Sequence, residues 1–150
     1  MSKLCYYKET LKPCALYKRT LELLKKDKRG INTIFLKSGV PPDWLRMFRS
    51  GGIPHASVNR VVKLYEFLSG NKVLGYKSKP YTDLSKPCEL YAKVLDLLKA
   101  DPRNVNVIHR DSGIPPDWLR LLRDDKILNP GVNRVVKLYE FLTGKTLDIK

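Results

Sequence analysis

Few side chains of this chain are of a type that could make or break bonds. Its three cysteines are Cys5, Cys14 and Cys88, an odd number with no Cys-x-x-Cys spacing. That pattern suggests neither a disulfide framework nor a zinc site. The two histidines, His55 and His109, stand in unrelated positions. No nucleophile is spaced to meet a base, so no enzyme activity, cofactor, metal site or small-molecule substrate is expected. The abundant chemistry is cationic: 29 Lys/Arg against 15 Asp/Glu, a net charge of +14. Such an excess destabilises a compact chain by self-repulsion and points to an anionic partner. Nucleic acid comes first, a membrane surface second.

The cations are unevenly spread. Residues 1–74 carry 15 Lys/Arg and 5 Asp/Glu, a net +10, and residues 75–150 carry 14 and 10, a net +4. No apolar run approaches the roughly 20 residues of a membrane-spanning helix. The N-terminal residues lack the apolar stretch of a signal peptide, so a cytoplasmic place is expected.

A repeat organises these residues. Residues 38–46 match 112–120, and 58–68 recur unchanged as 132–142, always at an offset of 74. From position 13 to 73, 34 of 61 aligned residues are identical. The period is too long for a solenoid but suits two duplicated units of a size that folds alone. The reading is an all-α chain of two tandem units with four to five helices each. Copy one spans 1–73, a linker and lead-in 74–86, and copy two 87–150.

Within copy one, Leu16, Tyr17, Leu21, Leu23 and Leu24 recur at helical spacing and predict a helix ending near Lys26. Ile31, Ile34 and Phe35 mark a short second helix, closed by Gly39. Pro41 and Pro42 open a third, since proline suits the first helical turn. Projected at 100° per residue, Leu45 and Phe48 of this helix face inward. Trp44 lies on their flank and reads as packing. Asp43, Arg46 and Met47 face outward, as do Asp117, Arg120 and Leu121 in copy two. A polar, basic outer face on a short helix entered through a tight turn is what a recognition helix needs. Ser57 predicts an N-cap for a last helix from Val58 to Leu68, stopped by Gly70. Leu64 and Phe67, with Leu138 and Phe141, lie off its main apolar face and ask for a partner. Cys14 and Cys88 fall on the first turn of an amphipathic helix and read as core.

Ile34, Gly39, Val40, Leu45, Phe48 and Gly51 carry a resemblance to the helix-turn-helix of lambdoid phage (Cro-type) repressors and related plasmid or bacterial regulators. It covers about Leu16 to Leu68 and again Leu90 to Leu142. Two departures stand out: Phe35 and His109 occupy a position where that family has Ala, and Asp124 and Asp125 replace Ser50 and Gly51.

The resemblance implies a regulator of transcription that binds double-stranded DNA, near the nucleoid of a bacterial or phage-infected cell. It implies base contacts from Pro42, Asp43, Arg46 and Met47, and from Pro116, Asp117, Arg120 and Leu121. Arg46 could bind guanine bidentately and Asp43 accept from cytosine, though Asp43 equally suits the helix dipole. It implies phosphate contacts from Asn32, Arg49, Ser57, Asn59 and Arg60, and from Asn106, Arg123, Asn133 and Arg134. Capping is the other reading of Ser57 and Asn59, and an internal pair with Glu66 that of Arg49.

Such regulators dimerise with half-sites about 34 Å apart. A 13-residue linker reaches at most about 43–47 Å, which allows a covalent pseudo-dimer. Leu64, Phe67, Leu138 and Phe141 are the expected interface between copies. A head-to-tail array or further homodimerisation is the alternative arrangement. The other function classes are a module that binds a host protein and a non-specific nucleic-acid binder.

Overall fold

A computed structural model describes residues 12–74 and 83–149. Among these the chain is all-α, with eight helices. They are α1 (Ala15–Lys26), α2 (Ile31–Ser38), α3 (Pro42–Arg49), α4 (Val58–Ser69), α5 (Glu89–Ala100), α6 (Val105–Ser112), α7 (Pro116–Arg123) and α8 (Val132–Thr143). Each of α5 to α8 lies 74 residues after its counterpart in α1 to α4. No helix among the described residues is long and apolar enough to cross a membrane.

Local chemistry sets the helix ends. Gly39 turns left-handed at φ 80°, and its N–H donates to Phe35 C=O at 2.8 Å, closing α2. A side chain there would be strained, because Cβ clashes in that region. The Ser38 hydroxyl then accepts the Val40 N–H, and Pro42 starts α3 at once. Gly70, at φ 75°, ends α4.

Apolar side chains from all four helices of copy one meet in one core. Leu16, Leu24, Ile34, Leu45, Phe48, Val58, Val61 and Leu64 are fully buried. Phe48 sits at its centre, with Tyr17 edge-on at 5.1 Å and Trp44 stacked at 4.8 Å. Trp44 is therefore a packing residue, as its place on the flank of α3 suggested. Tyr17 also donates its hydroxyl to Ile53 C=O at 2.8 Å, tying α1 to the loop after α3.

Phe67 packs at the edge of the apolar core and meets a cation as well. Asp27 grips Arg29 at 2.6 Å, and the Arg29 guanidinium lies 4.7 Å from the centre of the Phe67 ring. Asp101, Arg103 and Phe141 repeat the arrangement, at 2.7 and 4.8 Å. The two aromatic rings are thus covered by cations of their own copy, an attraction available to a half-exposed ring. Among the described residues, the hydrogen bonds between copies come from other groups. Leu64 and Leu138 are fully buried. Along α4, Leu64 lies on the stripe of Arg60 and Phe67, which meet Trp44 and Arg29 of their own copy.

The copies join at the N-termini of α4 and α8. Ser57 and Gly131 form an antiparallel bridge. Val58 N–H donates to Pro130 C=O at 2.8 Å, and Val132 N–H to Ala56 C=O at 2.7 Å. Each residue pairs with the equivalent of its partner, so the copies are related by a pseudo-twofold axis and not head to tail.

This junction changes the reading of Ser57. Its side chain makes no capping bond, and the adjoining Val58 N–H is taken by Pro130 C=O of the other copy. Its hydroxyl oxygen is shielded from solvent without a hydrogen-bond partner among the described residues. An unpaired buried hydroxyl is a liability, and copy two has Gly131 in its place. Ser57→Ala is therefore expected to stabilise the chain by about 1 kcal/mol in urea unfolding. A loss of similar size would show that the hydroxyl caps α4 in solution.

Candidate nucleic-acid interface

The α2–α3 and α6–α7 pairs each present a short outer helix on the surface. On α3, Leu45 and Phe48 hold the inner face, and Asp43, Arg46 and Met47 are exposed. On α7, Leu119 and Leu122 are buried, and Asp117, Arg120 and Leu121 are exposed. Pro42 and Pro116 are half-buried at the helix starts. The eight residues expected to face bases thus fall on two equivalent surfaces.

Arg46 donates to Asp43 at 2.7 Å, and Arg120 to Asp117 at 2.7 Å. Both pairs are largely exposed, so each contributes at most about 1 kcal/mol and opens readily. They hold the guanidinium at the surface, where it can exchange a carboxylate for another acceptor. Asp43 and Asp117 thereby gain a role as holders of arginine, beside the dipole and base readings.

The expected phosphate residues divide into two groups. Asn32 and Arg49 are exposed, and Arg49 has no ion-pair partner among the described residues. The expected pair with Glu66 is therefore absent. Arg60 and Arg134 are half-buried, 6.0 and 5.6 Å from the ring centres of Trp44 and Trp118. They lie beside the starts of the two outer helices. Asn106 is exposed and accepts from Arg120 at 3.4 Å, while Arg123 is half-buried. The second group lies where the two copies meet. Asn59 and Asn133 are 2% and 4% exposed, and Ser57 lies at the bridge between copies. These three belong to the junction, not to a phosphate surface.

Two basic residues escaped the sequence reading. The ammonium of Lys63 lies over the α2–α3 turn, 3.1 Å from where a Gly39 Cβ would stand. Lys137 lies over Gly113 in the same way, at 3.6 Å. Their spacing of three from Arg60 and Arg134 was the available signal, since it puts both cations on one helix face.

The copies differ at the start of the second helix and at the end of the third. α2 begins at Gly30 with no side-chain cap, but α6 begins at Asn104, whose side chain accepts the Val107 N–H at 2.9 Å. Gly51 ends the α3 region at φ 82°, whereas Asp125 holds φ 59° and pairs with Lys99. Phe35 is 36% exposed. His109 instead places Nδ1 2.9 Å from Ile114 C=O. Compared with protein-family models, curated proteins and solved structures, the chain matches none.

Proposed function

We propose that this chain is a transcriptional regulator that binds double-stranded DNA in a sequence-specific manner, as a covalent pseudo-dimer. In this reading α3 and α7 each enter the major groove of one half-site. The carrying observation is the twofold-related pair of short helices, each offering an arginine held outward by an aspartate one turn before it. Arginine pairs bidentately with guanine, and an exposed Met47 or Leu121 suits a thymine methyl. Arg49, Arg60, Arg134 and the first turn of α2 flank the helices where phosphates would run. The helix-turn-helix of lambdoid repressors, which each copy resembles, docks in this manner.

The two halves are unequal partners in this reading. Copy one has the larger net charge, the uncapped α2 and Gly51. Copy two carries Asp124 and Asp125 at the matching end of α7. Copy one accordingly contributes most of the affinity.

Selection of bound duplexes from a random pool tests the proposal. It is expected to enrich a motif with two unlike half-sites. Affinity for that motif should fall more than about tenfold between roughly 50 and 200 mM salt, as released counterions require. A salt-sensitive interaction without any enriched motif would mark a non-specific binder instead. Absence of binding at low salt would favour a protein-binding module.

A further inference from the structure

We propose that Asn59 and Asn133 are positioning residues that lock the two outer helices in one relative placement and thereby set the half-site spacing. The inference rests on the DNA-binding reading above. Both asparagines are buried, and among the described residues the hydrogen bonds of their side chains cross to the other copy. Asn133 Oδ1 accepts the Cys14 N–H at 2.9 Å, and its Nδ2 donates to Pro54 C=O at 3.0 Å. Asn59 Oδ1 accepts the Cys88 N–H at 2.9 Å, and its Nδ2 donates to Leu128 C=O at 3.4 Å. A carboxamide that both donates and accepts fixes direction as well as distance, which apolar contact does not.

The bonds reach the outer helices by a short path. Cys14 is the N-cap of α1, three residues before Tyr17. Tyr17 packs edge-on against Phe48 of α3. Asn133 of copy two therefore grips the helix that backs the outer helix of copy one. Asn59 grips the start of α5 in the same way, and Tyr91 of α5 bonds Ile127 C=O beyond α7. At their other ends α4 and α8 leave a cleft of about 490 Å³, lined by Tyr65, Gly70, Tyr139 and Lys145 among others. Among the described residues, the hydrogen bonds seen between copies are gathered at one end, where loss of either asparagine loosens a hinge.

One base pair of extra spacing moves a half-site by about 3.4 Å and turns it by roughly 35°. A locked pair of helices cannot follow. The experiment measures affinity for duplexes carrying the selected half-sites at spacings changed one base pair at a time. The wild-type chain should prefer one spacing by at least about tenfold, the scale of one lost bidentate contact. Asn59→Ala and Asn133→Ala should flatten that preference to less than about threefold, with affinity for a single half-site unchanged. Variants that keep their helical circular dichroism and a wild-type spacing profile would overturn the proposal. If a variant does not fold, the wild-type profile decides alone, because equal binding at several spacings also overturns it. Failure to find any bound half-site refutes the DNA-binding reading instead.

Discussion

Phe48→Ala is expected to lower the unfolding free energy by about 3–5 kcal/mol, the usual loss for a buried phenylalanine. In a chain of this length that moves the thermal midpoint down by roughly 6–20 °C. Phe48 is fully buried, with Tyr17 against one side and Trp44 stacked on another. Removing it forfeits apolar burial and both ring contacts, and leaves a cavity behind α3 that two rigid rings cannot close. Copy two offers an internal comparison, because Leu122 stands at the same position. Phe48→Leu should therefore cost less than Phe48→Ala. A loss below about 1 kcal/mol for the alanine variant, against the range known for such sites, would show that the cluster is not closely packed.

The second large effect is on binding. Arg46→Ala and Arg120→Ala should each cost about 1–3 kcal/mol of affinity and relax selection at one base position. The two positions should lie in different half-sites. Stability should barely move, because both arginines are exposed and their ion pairs with Asp43 and Asp117 are surface pairs. The Arg46 effect should be the larger, given the stronger copy. A loss spread evenly over all sequences would assign these arginines to phosphate. No loss in either variant would remove α3 and α7 from the groove.

Most of the helical layout could be read from residue types alone. Gly39 and Gly70 needed positive φ, Pro42 suited a first turn, and the apolar spacing of α1 and α4 placed their inner faces. These are local signals, and local signals survive folding where packing agrees with them. The outer faces of α3 and α7 were legible for the same reason, since a 100° projection separates Leu45 and Phe48 from Asp43, Arg46 and Met47. What lay hidden was long-range. Asn59 at the start of a helix looks like a cap or a phosphate contact, and nothing nearby tells of Cys88 or Leu128. Its bonds span 29 and 69 residues. Ser57 misled because it lies in the bridge to Gly131 of the other copy, a pairing that no nearby residue signals. The Arg29 contact with Phe67 was hidden too, because nothing in the spacing of the two tells that the guanidinium lies across the ring.

The reciprocal junction also has a consequence for how the assembly responds to its own abundance. A dimer of separate chains comes apart on dilution, so its paired form is second order in chain. Here both halves share one backbone, and the junction closes at an effective local concentration set by the linker, of millimolar order for a short flexible one. The Ala56–Val132 and Pro130–Val58 bonds are then made to the same extent at nanomolar as at micromolar protein. The paired form is first order in chain, and it is lost through unfolding or a broken linker, not through scarcity.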